Sequence, residues 1–128
     1  FSRSFFKLSI SSTGIVLWAK TESGAILGSS SLGKKGKSAE RVGEEAAESL
    51  VEQLKTGCAV DHWLTDQLVP YLALADGESV ITSTKLTSHV MTNIKLIEEI
   101  IGADVKIKGS IGSEGEISIR GCALNNCI

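Results

Sequence analysis

Two groups of residues in this sequence have the types and the spacing for chemistry. His89 follows Thr87-Ser88, where a helix is expected to begin. A helix N-terminus presents free N–H groups and about half a positive charge, so it attracts phosphate and disfavours imidazolium, which keeps a nucleophilic ring nitrogen available. Thr92 and Asn93 follow three and four residues later, close enough to orient His89 or to contact a phosphate. The second group is Trp63, Asp66, Gln67 and Pro70, whose spacings of three, four and seven put them on one helix face. On such a face the aromatic can stack on a base, the amide can read the base's polar edge, and the carboxylate can hold a metal or orient a base. The same spacings also describe a helix with a polar side and one amphipathic tryptophan, and a histidine beside a cap is also an ordinary surface residue. His62, next to Trp63, is assigned no role.

A third pattern is a decoy. Gly36-Lys37-Ser38 before a helix has the look of a phosphate-binding P-loop, but that loop needs a glycine five positions before Gly36, where this sequence has Ser31. A flexible cationic turn is the better reading, and Lys34, Lys35 and Lys37 could touch a phosphate backbone non-specifically.

The elements that must position these residues are read from periodicity and caps. Phe5 to Ile10, Gly14 to Lys20 and Ala25 to Ser30 read as strands, the last two joined by the Thr21-Glu22-Ser23-Gly24 turn. Ser38 is the expected N-cap of a helix running to about Lys55, with Val42, Ala46, Leu50 and Leu54 forming an apolar stripe, Ala47 and Val51 beside it, and an acidic solvated face. A second helix is expected from about Asp61 to Ala75 with Leu64, Leu68 and Leu72 inward; Pro70 should kink it or break it around Val69. Ser79 to Thr84 reads as a strand, and Thr87 or Ser88 caps a third helix, about His89 to Ile101, that turns Val90, Ile94, Ile97 and Ile101 to the core and ends at Gly102. Val105 to Lys108 and Glu116 to Arg120 alternate as a hairpin around a glycine-rich turn. The order β-β-β-α-α-β-α-β-β is an α+β arrangement.

Composition sets bounds. The chain has 128 residues, 42% of them apolar, enough for a core in one small domain or two fragments. A formal net charge of −2 is not that of a free-standing nucleic-acid binder, so a basic groove for RNA would be local or lie on other residues. Cys58, Cys122 and Cys127 are odd in number and widely spaced, which argues against a disulfide framework, and the last two are too few for a closed zinc site; reduced thiols are expected. No apolar run approaches the roughly 18 residues of a membrane span and no signal peptide is visible, so the expected location is cytoplasmic. The lack of an initiator methionine is read as a mark of a fragment.

Taken together, several blocks resemble the RNA 3'-terminal phosphate cyclases. They are Gly14 to Ala19 (GIVLWA), Gly28 to Gly36 (GSSSLGKKG), Ala39 to Ala47 (AERVGEEAA), Gly57 to Leu74 (GCAVDHWLTDQLVPYLAL) and Leu86 to Asn93 (LTSHVMTN). Their order and spacing agree with the family over about Gly14 to Gly121.

The resemblance implies a ligase-class enzyme that uses ATP and a divalent metal, Mg or Mn, to convert an RNA 3'-phosphate into a 2',3'-cyclic phosphate. It implies that His89 is the nucleophile that becomes adenylylated. It also implies that Asp66 and Gln67 lie at the nucleotide site, with Asp66 the metal or substrate contact, and that Trp63 stacks on adenine. The family's enzyme is more than twice this length. By resemblance, residues 1–57 are the last part of its inserted α/β domain and residues 58–128 the closing part of its large domain. Activity would then need a missing N-terminal half, in cis or in trans, with RNA 3'-phosphate ends and ATP as partners and no membrane. The alternative is a non-catalytic cyclase-like protein of ribosomal RNA processing, or an RNA- or protein-binding module; the presence of His89 favours the catalytic branch.

Overall fold

A computed structural model describes the backbone of residues 5–11 and, in full, residues 14–123. The chain divides into two compact units, 1–57 and 58–128. The element order is the expected α+β one: β1 (Phe5–Ser11), β2 (Gly14–Lys20), β3 (Ile26–Leu32), α1 (Ala39–Lys55), α2 (His62–Leu74), β4 (Asp76–Ser83), α3 (Ser88–Ile101), β5 (Asp104–Gly109) and β6 (Gly115–Cys122). Among the described residues no helix is long and apolar enough to cross a membrane.

In the first unit β1, β2 and β3 form an antiparallel meander, with Trp18 opposite Gly28 and Ala19 opposite Leu27 in the second pairing. The β2–β3 turn closes because Gly24 takes a positive φ of 89°. α1 packs on β2 and β3. Ser38 caps it as expected, its Oγ accepting from the Arg41 N–H at 3.2 Å. Ala19, Leu27 and Leu50 form the buried centre, with Leu17 and Leu54 against it.

The stripe differs from the expectation at its margins. Ala47 and Val51 are exposed, whereas Gln53 is buried and donates from Nε2 to the Gly28 carbonyl at 2.9 Å. A buried amide is tolerable only with such a partner. Ser29 does the same work one pair along, donating to the Ala46 carbonyl at 2.8 Å.

Lys37 is not a free P-loop lysine. Its ammonium donates to Ser31 Oγ at 3.0 Å, to the Leu32 carbonyl at 3.3 Å and to Glu45 Oε2. The hydrogen bonds from Lys37 and then Ser31 hold the Glu45 carboxyl below the usual carboxylate range. Because the folded value is the depressed one, the lock is complete above the ordinary carboxylate pKa and is lost as pH falls through the lower value. A carboxyl NMR titration is therefore expected to find Glu45 titrating below the usual carboxylate range, and Lys37→Ala to move its midpoint back up.

The second unit is a three-stranded antiparallel sheet, β4-β6-β5, with α2 and α3 on one face. Its core joins Val69 and Ala73 of α2, Val90, Ile94 and Ile97 of α3, and Ile117 and Ile119 of β6. β4 begins earlier than expected, since Asp76, Gly77 and Glu78 also pair with β6.

α2 departs most from the sequence reading. Pro70 neither breaks nor ends it: the helix runs unbroken through Leu74. Proline withholds one N–H, but the hydrogen bonds and buried contacts on either side keep the helix whole. The inward face is Thr65, Val69 and Ala73; Leu64 is exposed and Leu68 and Leu72 are only partly buried. The helix is apolar on most sides, so periodicity could not select the face, and small residues won because they let the helix lie close to β6. The expectation of reduced thiols also changes. Cys122 is disulfide-bonded rather than reduced, whereas Cys58 forms no disulfide; Cys127 lies outside the described residues.

Candidate functional site

The site is built where the start of α3 meets the middle of α2. Asp61 caps α2, its Oδ1 accepting from the Leu64 N–H at 2.8 Å. Thr65, fully buried, donates to the Asp61 carbonyl and shares a 2.8 Å hydrogen bond with Ser83 Oγ. Ser83 in turn donates to the Lys85 carbonyl at 3.0 Å. This buried polar chain ties α2 to the segment that leads from β4 into α3. Nothing in the sequence marked Thr65 or Ser83, since each looks like an ordinary small polar residue.

α3 is capped by Thr87, whose Oγ1 accepts from the Val90 N–H at 3.1 Å. The cap places His89 in the first turn, 73% exposed at its side chain. His89 Nδ1 lies 2.5 Å from Asp66 Oδ2 on α2. Asn93, one turn further along α3, donates from Nδ2 to the other carboxylate oxygen, Oδ1, at 2.8 Å. Asp66 is thus the shared acceptor of two residues spaced i, i+4 on the facing helix, and its side chain is 24% exposed.

An ionised carboxylate only accepts, so Nδ1 must carry the proton in this pair. In the neutral ring the other nitrogen, Nε2, then bears the lone pair. Asp66 also stands ready to stabilise the positive charge that the ring gains when Nε2 forms a bond. An exposed imidazole held in one tautomer by a carboxylate is an activated nucleophile or a general base.

The other candidates fall around this trio. Trp63 and Gln67 lie on α2 on either side of Asp66 in sequence; both are exposed and neither joins the hydrogen bonds. Trp63 is 63% exposed, with its ring 4.6 Å from that of His62 and tilted by 39°. Burial lowers the His62 pKa against the opposing pull of Asp61, which favours its neutral form. Thr92, expected beside His89, instead donates to the Ser88 carbonyl at 3.0 Å. Asn93 acts on Asp66 rather than on His89.

The donor set suits a nucleotide better than a caged metal. An exposed aromatic, an exposed amide and an outward Nε2 can meet a base and a phosphate. Both Asp66 oxygens already accept hydrogen bonds, and among the described residues no group of three His, Cys, Asp or Glu side chains could hold an ion. A divalent metal here would have Asp66 as its contact from the described residues and would need phosphate oxygens or other residues to complete its shell.

A family model described as the insert domain of RNA 3'-terminal phosphate cyclase matches residues 9–55. The chain is 45% identical over 108 residues to a protein of Methanopyrus kandleri named RNA 3'-terminal phosphate cyclase, covering 84% of this chain and 31% of that one. It is 44% identical over 107 residues to the protein of that name in Pyrococcus furiosus, covering 84% and 30%. A third, from Hyperthermus butylicus, is 44% identical over 112 residues, covering 85% and 31%. The chain therefore spans about a third of the length of the curated relatives it matches.

Proposed function

Because the chain belongs to the RNA 3'-terminal phosphate cyclase family, we propose that it carries the nucleophile of an ATP-dependent conversion of RNA 3'-phosphates into 2',3'-cyclic phosphates. The observation that carries this reading is the hydrogen bond between His89 Nδ1 and Asp66 Oδ2, which leaves Nε2 exposed on a helix start.

In the first step Nε2 attacks the α-phosphorus of ATP. The N–P bond forms, the bond to the bridging oxygen breaks, and pyrophosphate leaves. The ring gains positive charge, and Asp66 offsets it through Nδ1–H, a charge-assisted hydrogen bond stronger than the neutral one it replaces. Asn93 keeps the carboxylate turned towards the ring. Trp63 is suited to stack on the adenine and Gln67 to take its polar edge. The free N–H groups of the first α3 turn favour the phosphate's negative charge. The adenylyl group then passes to the RNA 3'-phosphate, and the adjacent 2'-hydroxyl closes the ring and releases AMP. These later steps call on residues of the remaining two thirds of the enzyme, in cis or in trans. A divalent metal would supply charge neutralisation on the phosphates, with Asp66 as its contact from this chain.

The test is covalent labelling. The chain is incubated with α-labelled ATP and Mg or Mn, alone and with the N-terminal portion of a family enzyme supplied in trans. Acid-labile label on the chain, absent in His89→Ala, is the expected result. His89→Ala should fold like the parent, since the side chain is largely exposed. No label under either condition, in folded protein, would sink the catalytic reading and leave the non-catalytic, cyclase-like one.

A further inference from the structure

The first unit holds a feature that the histidine chemistry does not use. Lys34, Lys35, Lys37, Ser38, Arg41 and Glu45 line a cleft of about 560 Å³ at the start of α1. Four cations face one carboxylate there. We propose that this cleft binds the phosphodiester backbone of a single-stranded RNA, holding the strand whose 3' end the family reaction modifies; the inference rests on the reading of the substrate given above.

The charges divide into a scaffold and a pair of free groups. Lys37 has only 13% of its side chain exposed, and its bonds to Ser31, Leu32 and Glu45 occupy its protons. Arg41 Nε stands 3.5 Å from the second Glu45 oxygen. Glu45 is therefore an internal counter-charge that braces the wall, and its negative charge is already spent on Lys37 and Arg41. Lys34 and Lys35 are exposed and make no ion pair among the described residues.

A tight turn presents them. The Lys37 N–H donates to the Lys34 carbonyl at 3.0 Å, and Gly36 takes the positive φ of 86° that the third position of such a turn requires. The two free ammonium groups thus come from adjacent positions of a braced loop. The N-terminus of α1 is not itself the site, because Glu40's carboxylate already accepts from its own N–H and from Ser38.

The ligand class follows from what these groups can and cannot do. Ammonium groups bind phosphate as point charges without geometric selectivity, so they suit a backbone rather than a base. A nucleoside triphosphate is disfavoured, because the lysine that would cradle its phosphates is locked to Glu45. The unit's overall charge agrees: residues 1–57 hold eight of the 13 basic side chains and six of the 15 acidic ones, whereas residues 58–128 hold five and nine.

The experiment measures binding of a fluorescent single-stranded oligoribonucleotide ending in a 3'-hydroxyl, which the end chemistry cannot activate. Anisotropy titrations across a salt series compare the chain with Lys34→Ala/Lys35→Ala and with a control pair on the other unit, Lys106→Ala/Lys108→Ala. The cleft pair is expected to weaken affinity about tenfold or more at low salt. It should also reduce the slope of log K against log salt by about 1.4, as two lost single-strand phosphate contacts require. The control pair should change neither. An unchanged slope in the cleft variant, an equal loss in the control, or competition by polyglutamate as effective as by unlabelled oligonucleotide would overturn the proposal. The last outcome would point to an acidic protein partner. Labelling with ATP in the absence of RNA reads the His89 chemistry separately. The cleft variant should keep its label in full, so unchanged RNA binding would sink the cleft and leave the histidine reading standing.

Discussion

Replacing Asp66 by alanine is expected to lower adenylylation of His89 by roughly 10²–10⁴-fold, the span typical of losing a positioned acid–base partner, while the second unit still folds. Asp66 holds the Nδ1 proton of His89 and thereby leaves the Nε2 lone pair outward. Without it the ring can rotate, adopt the other tautomer and lose its counter-charge in the transition state. Asp66→Asn is the sharper test, because it conserves shape. An amide that donates to Nδ1 moves the ring proton to Nε2 and blocks the nucleophile, so the isosteric change should be about as damaging as alanine. Asn93→Ala, which frees only the second carboxylate oxygen, should be milder. Labelling rates and thermal melts together decide the matter. Asp66→Asn with near-normal labelling would show that Asp66 does not set the tautomer. A collapse of the melt in step with labelling would make Asp66 a structural residue instead.

Gly121→Ala should destabilise the second unit by about 3 kcal/mol or more, as overpacking against backbone does. A Cβ at this position would sit 2.1 Å from the Ala75 carbonyl oxygen and 2.7 Å from that of Leu72. Both oxygens belong to the end of α2, and neither can yield as a flexible side-chain tip would. The Ala75 oxygen is also held by the Ala123 N–H at 3.1 Å. For a unit of this size the loss corresponds to a fall in Tm of roughly 12–24 °C. Because the same helix carries Asp66, labelling should fall as well. Gly112→Ala is the comparison: its φ of 92° is unfavourable for alanine, but nothing lies near the added Cβ, so about 1 kcal/mol is expected. A drop of only a few degrees for Gly121→Ala would mean that the end of α2 is free to move away from β6.

Much of this architecture was legible in local signals. Ser38, Asp61 and Thr87 stand at the starts of the three helices, where short oxygen-bearing side chains satisfy the first N–H groups. Gly102 ends α3 in the left-handed conformation. The α3 stripe of Val90, Ile94 and Ile97 is buried as its period implies. Strand order along the chain followed from alternation and turn residues, and the failure of the P-loop pattern at Ser31 matched a lysine that the structure locks in place. His89 was singled out by its position after a cap, which needs no knowledge of what lies across from it.

The sequence by itself thus determined the elements, their caps and the residue with nucleophilic potential, because each depends on neighbours within one or two turns. Tertiary structure decided how those elements face one another. α2 is apolar on most sides, so only packing against β6 could select Thr65, Val69 and Ala73 over its leucines; small residues allow the close approach that Gly121 completes. That rotation turns Asp66 towards α3. Asp66 and His89 are 23 residues apart, and Asp66 and Asn93 are 27. No periodicity relates positions on different helices, so the contact between Asp66 and His89 on which the proposed chemistry rests exists only once the chain has folded.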